Sequence, residues 1–340
     1  MGSLRKNIRK CILLFWPVLL LSLAYGKNVE AQPYQGFGTN TPGGSGGTVV
    51  HVINLNDSGP GSLREALSAG DRTVVFDVGG EINLNSSIRV KGAFITIDGF
   101  TALSPITLRG AGLSLHGTKG AHDIIIRGIR VRNANALSST DGITIAFGAY
   151  NVIVDHVSIC CSRDENIDIT EGSHDVTVSW SILAGNGKNM LIKYNPSRVT
   201  LHHNILTESA TRNPQVRTDN SGTPATDTTV DMRNNLIWDW KKYGTLVRKG
   251  PWVNIVDNYY SSAGRAILVS GARAYVSGNL NAKRNKFIRA GKEKIPFPAP
   301  FVDTQDACTA ANLVLADAGV HPLDSVDQEY LSRIPIPSCP

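Results

Sequence analysis

Four copies of one phrase decide how this chain is read: Val199-Thr200-Leu201-His202-His203-Asn204, Val230-Asp231-Met232-Arg233-Asn234-Asn235, Val253-Asn254-Ile255-Val256-Asp257-Asn258 and Ala274-Tyr275-Val276-Ser277-Gly278-Asn279. Each holds two apolar residues one position apart and an asparagine three residues further on. The same opening recurs earlier, at Ile124-Ile125-Ile126, Val152-Ile153-Val154 and Val176-Thr177-Val178, the last with Ser181 in the asparagine place. The seven starts lie 28, 24, 23, 31, 23 and 21 residues apart, and a period in the twenties signals a solenoid. Short, β-branched, alternating stretches separated by intervals of unequal length indicate coils that each give a few strands to parallel sheets, with loops projecting outside. Helical periodicity is almost missing from residue 70 to 285. The aligned asparagines predict a ladder of amides bonded from coil to coil at strand spacing. Leucine-rich repeats share the period but need a denser leucine pattern, so the fold class expected is all-β, a parallel β-helix.

An open solenoid end exposes strand edges and apolar core, so both ends need caps. Ser62-Leu63-Arg64-Glu65 has capping-box spacing and opens a short helix through Leu67, ahead of the first strong strand at Val74. Residues 303–318 read as a C-terminal helix, capped by Asp303 or Thr304 and stopped by Gly319. Between Gly36 and Gly47 the chain is rich in Gly, Pro, Thr and Ser and reads as a flexible lead-in. The domain plan is therefore a leader over 1–31, a lead-in over 32–47 and the β-helix over 48–340.

The leader reads as a signal peptide ending near Ala31. Arg5, Lys6, Arg9 and Lys10 precede an apolar run from Cys11 to about Tyr25, and Val29-Glu30-Ala31 supplies small residues for cleavage. The run contains Pro17 and falls short of the roughly 20 residues of a spanning helix, so the mature protein is expected to be secreted, with no membrane segment. Removing residues 1–31 lowers the formal charge from +6 to +2. Attraction to an acidic partner must then come from local sites rather than from net charge. Four cysteines remain, Cys160, Cys161, Cys308 and Cys339, enough for up to two disulfides by three connectivities. A Cys308–Cys339 bond would tie down the tail. Neighbours on a strand point to opposite faces, so Cys160 and Cys161 are expected not to bond to each other.

Counting from each repeat start gives a coordinate around the coil. Asp141 falls at +17; Asp164 and Asp168 at +12 and +16 in the next coil; Lys188 and Lys193 at +12 and +17; Arg212 and Arg217 at +13 and +18. Four neighbouring coils thus stack three carboxylates beside two ammonium and two guanidinium groups, over about 15 Å at strand spacing. A lone surface charge is ordinarily just solvated. This ordering instead suits a polyanion held partly through a bridging metal, and oxygen-only ligands favour calcium over zinc.

The residues also match a family. Val152-Ile153-Val154-Asp155-His156, Asp164-Glu165-Asn166-Ile167-Asp168-Ile169, Val176-Thr177-Val178-Ser179-Trp180, Lys188-Asn189-Met190-Leu191-Ile192 and Arg212-Asn213-Pro214-Gln215-Val216-Arg217 resemble, in order, the signature blocks of pectate lyases. Trp240 to Gly244 resembles the family's Trp-x-x-Tyr-Gly stretch. The resemblance covers roughly residues 48–330. It implies a right-handed single-stranded parallel β-helix that cleaves polygalacturonate by calcium-dependent β-elimination, giving 4,5-unsaturated oligogalacturonides. It implies Asp141, Asp164 and Asp168 as calcium ligands, Lys188 and Arg217 as substrate-binding residues and Arg212 as the proton-abstracting residue. The sequence departs from the pattern in having Asp164 where the family often has glutamate, and Ser139 where a further acid is usual.

Other readings stay open at this stage. A polygalacturonase on the same architecture hydrolyses with paired carboxylates and needs no metal. A pectin lyase acts on the esterified polymer and by family pattern lacks the calcium carboxylates, and a non-catalytic β-helix could bind sugar alone. Asp155-His156 and His202-His203 read as packed or hydrogen-bonded strand residues, and Trp238, Trp240 and Tyr243 read either as sugar platforms or as packing. No phosphate loop, zinc pattern, Ser/His/Asp arrangement or nucleic-acid motif is present. The partner expected is an acidic polysaccharide, with no nucleic acid and a monomeric chain.

Overall fold

The seven repeat starts pair with one another residue for residue. Ile124 lies opposite Val152, Val152 opposite Val176, Val176 opposite Val199, Val199 opposite Val230, Val230 opposite Val253 and Val253 opposite Ala274, all in parallel. The computed structural model describes residues 34–133, 140–218, 228–284, 286–288 and 291–337. The expected signal peptide, Ser139 and Cys339 lie outside the described residues. Three sheets wind around one axis in about nine turns as a right-handed parallel β-helix. The first sheet has ten strands, from Thr48–Val52 to Arg273–Ser277; the second has eight, from Ile88–Val90 to Arg265–Ser270. A third sheet of ten runs from Gly80–Asn83 to Lys286–Phe287, and only its final pair is antiparallel.

The corner between the first and third sheets takes two residues. The first is left-handed in coil after coil: Trp180 (φ 47°), His203 (54°), Asn234 (53°), Asp257 (49°) and Gly278 (66°). Such a conformation costs a residue with a Cβ on the order of 1 kcal/mol or more. The second residue compensates, because it is the expected ladder. Asn204 N–H and side-chain amide both donate to Asn235 Oδ1 at 3.0 and 2.9 Å, Asn235 does the same to Asn258 at 2.9 Å each, and Asn258 to Asn279 at 2.9 and 2.8 Å. Ser181 joins the ladder through its N–H, which donates to Asn204 Oδ1 at 3.0 Å. Rings stack along the same corner, His156 on Trp180 and Trp180 on His203 with centroids 6.0 and 4.3 Å apart, so these histidines pack, as expected.

The caps differ in detail from the sequence reading. Leu63–Ala66 is helical, with Ser62 Oγ accepting from Glu65 N–H and Glu65 Oε2 accepting from Gly61 N–H. The C-terminal helix is Ala307–Asp317, and its cap is Asp306 rather than Asp303 or Thr304: Asp306 Oδ1 accepts from the N–H groups of Cys308 and Thr309 at 3.0 Å each. A further helix, Ser325–Arg333, follows. Cys160 and Cys161 do bond to each other, against expectation. Strand alternation does not apply to this pair, because the strand ends at Cys160 and Cys161 turns left-handed at φ 67°. Cys308 is also disulfide-bonded.

The first and last described segments both run over the outside of the solenoid. The glycine-rich lead-in lies packed along the first sheet instead of hanging free: Phe37 N–H donates to Thr200, Gly38 N–H to Thr177 and Gly44 N–H to Thr96, at 3.1, 3.0 and 2.9 Å. Gly38 comes so close that a Cβ there would stand 2.5 Å from the Val152 carbonyl, which is why glycine is needed. From the other end, Phe297 exchanges two hydrogen bonds of 3.1 Å with the buried amide of Asn254. The third sheet is covered by the C-terminal helices, over a second apolar cluster that includes Ile182, Ile205, Leu236, Ala311 and Val314. Among the described residues, the hydrogen bonds that these segments make to the coils fall on the first and third sheets and the corner between them.

Candidate active site

The second sheet carries a second amide ladder, which the sequence reading missed. Asn166 Nδ2 donates to Asn189 Oδ1 at 2.6 Å and Asn189 Nδ2 to Asn213 Oδ1 at 2.8 Å, all three residues buried. Each ladder residue directly follows a charged one, in Glu165-Asn166, Lys188-Asn189 and Arg212-Asn213. One coil earlier Asp141-Gly142 takes the same place, where a Cβ on Gly142 would meet the Asn166 carbonyl at 2.6 Å. The ladder therefore fixes Asp141, Glu165, Lys188 and Arg212 in one column at the edge of the sheet. Their pairing agrees: Glu165 lies opposite Lys188, and Ile143 opposite Ile167 sets Asp141 beside Glu165.

This column corrects the offset count. Asp141 stacks with Glu165 rather than with Asp168, and Asp164 sits one residue outside the column, its N–H donating to the Thr140 carbonyl. Asp168 lies within the strand Glu165–Thr170, opposite Thr144 and Leu191. Lys193 lies opposite Thr170, and Arg217, which ends the strand Gln215–Arg217, lies opposite Arg248. The count went astray because the intervals between sheets differ in length from coil to coil. The residue it missed is Glu165, and the signal was available: a charged residue followed by asparagine in three successive coils.

Carboxylate oxygens of Asp141, Asp164 and Glu165 lie within 4.8 Å of one another, the group of this kind found among the described residues. Asp141 Oδ2 accepts from Thr144 Oγ1 at 2.8 Å and Oδ1 from Glu165 N–H at 3.0 Å. Burial pushes the Asp141 carboxyl up to about 6, helped by Asp164 and opposed by the Thr144 bond. Burial, then the charges of Asp141 and Asp164, push Asp168 up to about 8. Its Oδ1 is buried with no hydrogen-bond partner. Crowded carboxylates with an unused buried oxygen are a donor set that a hard divalent cation would relieve, and oxygen-only coordination is what such a cation takes.

Two cations already face this cluster. Lys188 Nζ pairs with Asp164 Oδ1, and Arg212 Nη1 pairs with Glu165 Oε1, whose carboxylate is 3 % exposed. Arg212 stands where the strand gains a residue: Lys188 bridges to Thr211 whereas Leu191 pairs with Gln215, and Arg212 takes φ 66° in between. Burial holds its guanidinium below the usual range, and Arg248 adds repulsion, while Tyr243, Asp164 and Asp141 pull it back up. Tyr243 is half-buried and donates its hydroxyl to Gln215 Oε1 at 2.9 Å. Trp240 is buried edge-on against Tyr260, and Trp238 packs against the cluster beneath the C-terminal helices, so neither is a sugar platform.

No protein-family model matches the chain. Among curated proteins, the chain is 37% identical over 252 residues to probable pectate lyase C of Emericella nidulans, covering 73% of this chain and 55% of that protein. It is 35% identical over 278 residues to the Aspergillus fumigatus protein of the same name, covering 78% and 62%. The chain thus spans somewhat more than half the length of these relatives. Among solved structures, the cedar pollen allergen jun a 1 superposes with a TM-score of 0.70 at 20% identity, covering 84% of this chain and 92% of that one. A pectate lyase from Bacillus sp. N165 in complex with trigalacturonate gives 0.67 at 20% identity, covering 84% and 98%.

Proposed function

The chain belongs with the pectate lyases by sequence homology and by fold, and from that premise we propose that it is a secreted polysaccharide lyase that cleaves α-1,4-linked polygalacturonate by calcium-dependent β-elimination. The observation that carries this reading is the single column in which Asp141 and Glu165 meet Lys188 and Arg212 on the second sheet, with Asp164 and Asp168 beside them. Asp141, Asp164 and Asp168 hold the cation, and Glu165 completes the acidic wall. Calcium, when bound, neutralises the uronate carboxylate next to carbon 5 and so acidifies the proton on that carbon.

Lys188, whose ammonium pairs with Asp164, would offer it to the same uronate carboxylate and stabilise charge that develops there. Arg217 offers a planar fork to another uronate. Arg212 takes the carbon 5 proton; the electrons of that bond form the carbon 4–carbon 5 double bond, and the carbon 4–oxygen bond breaks, the departing oxygen taking a proton from water. Arg212 must be neutral to act. Burial and Arg248 favour that form, while the ion pair with Glu165 opposes it, so turnover should rise toward alkaline pH.

The test is to incubate the purified protein with polygalacturonate in calcium or in excess chelator and follow ultraviolet absorbance. The reading expects an absorbance rise from the unsaturated product in calcium and none in chelator. Reducing ends without absorbance would mean hydrolysis, and full activity in chelator would remove calcium from the account.

A further inference from the structure

Formal charge is divided unevenly along the chain. Residues 34–240 hold 16 Lys and Arg against 19 Asp and Glu, and residues 295–340 hold one against six. Residues 241–294, the final coils, hold twelve against Asp257 and Glu293, a formal +10 in 54 residues. A merely solvated surface mixes both signs, and a concentration of one sign raises self-repulsion without helping the core.

Strand register places part of this charge beside the site. Lys242 N–H donates to the Ala210 carbonyl at 3.0 Å, one residue before Thr211, which bridges to Lys188. Tyr243, next in the chain, pairs with Arg265 in the following coil. Lys241, Lys242 and Arg265 therefore continue the edge of the sheet occupied by Lys188 and Arg212. At the other edge Arg217 lies opposite Arg248, and Lys249 follows Arg248. Lys241, Lys242, Lys249 and Arg265 are all exposed, and among the described residues no carboxylate pairs with Lys241, Lys242 or Arg265. The nearest acid along the chain, Asp239, sits on a strand of the third sheet.

We propose that the last two coils of the second sheet, through Lys241, Lys242, Lys249 and Arg265, form an electrostatic landing surface for polyuronate chains longer than the site itself holds. The inference rests on reading the site as a polyuronate site. A chain with one carboxylate per sugar that leaves the site toward the C-terminal coils crosses these cations at the coil spacing of about 4.8 Å. Exposed cations of this kind act by steering and counterion release, so their effect is long in reach and sensitive to salt.

The test compares the unaltered protein with Lys241→Glu/Lys242→Glu/Arg265→Glu and with a control of equal charge change at the other end, Arg89→Glu/Lys91→Glu/Lys119→Glu. Affinity for long polygalacturonate and for trigalacturonate is measured at several salt concentrations and fixed calcium, after melting curves confirm folding. The neutral triple Lys241→Gln/Lys242→Gln/Arg265→Gln serves if the reversal fails to fold. The expected result is at least about a tenfold loss for the polymer at low salt, shrinking as salt rises, with trigalacturonate affinity and turnover unchanged and the control near normal. Equal losses for both ligands, no loss for the polymer, or the same loss in the control would overturn the surface and leave the site intact. Failure of the unaltered protein to bind either ligand would instead remove the proposed function and this inference with it.

Discussion

The first and third sheets and the second sheet are built from the same coils, yet their outer faces carry polar groups for different ends. On the first and third sheets many such groups meet a returning segment of the chain: threonines take the lead-in, Asn254 takes Phe297, and Arg132 takes Asp324 and Asp327 at 3.0 and 2.8 Å. On the second sheet the acids crowd one another and leave Asp168 Oδ1 without a hydrogen bond. Polar residues that are paired and covered hold the fold. Polar residues left crowded and open are held by the fold, at a cost in stability, for something that comes from outside.

The largest effect expected from breaking this contrast is on the covered side. Asp327 is 1 % exposed and Arg130 and Arg132 are 5 % and 4 %, so Asp327→Ala leaves two buried guanidinium groups facing Asp324 alone and should lower unfolding free energy by about 3 kcal/mol in urea denaturation. On the open side, Arg212→Lys should leave the urea midpoint in place and lower turnover at saturating polygalacturonate by at least about a hundredfold, on the order of 3 kcal/mol in the barrier. Normal turnover with weaker binding would mean that Arg212 is only an anion clamp.

A smaller loss is expected from the first ladder. Asn235→Ala removes the acceptor of two Asn204 donors and should cost about 1–3 kcal/mol by thermal unfolding, with calcium affinity unchanged.

The two faces should also respond oppositely to pH. His202 is buried, and burial together with His203 holds it down to about 3. Its folded value lies below its unfolded value, so its contribution is complete above about pH 6.5 and is lost as pH falls toward 3. Asp168 lies above its unfolded value, so its contribution is complete below about pH 4 and is lost as pH rises through 8. In chelator, His202→Gln should flatten the acid limb of the stability profile and Asp168→Asn the alkaline limb. A profile unchanged by either substitution would mean that those environments do not act as described.

Much of the covered structure was legible in the sequence. The repeat starts and the ladder Asn204, Asn235, Asn258 and Asn279 recur in the chain because each coil repeats one local rule, an apolar pair and then a corner amide. The charged residues of the site were legible as a set but not in register, since a column of Asp141, Glu165, Lys188 and Arg212 depends on intervals that vary between coils. Glu165 was hidden beside Asp164 for that reason. Least legible were contacts made across the whole chain, such as Gly38 with Thr177 and Phe297 with Asn254, where no local pattern announces the partner. The Cys160–Cys161 bond was misread because a left-handed residue breaks the alternation the argument assumed.

The contrast between faces comes down to whether the acids of the second sheet serve the fold or a ligand. The direct measurement is thermal unfolding of the unaltered protein and of Asp141→Asn/Asp164→Asn/Asp168→Asn, each in chelator and in calcium at pH 8. Asparagine keeps the shape and the oxygen that accepts from Glu165 N–H, and it removes the crowded charge. The account predicts that in chelator the variant melts at or above the unaltered protein, and that calcium raises the melting temperature of the unaltered protein alone. A variant that melts well below the unaltered protein in chelator, or that calcium stabilises equally, would contradict it.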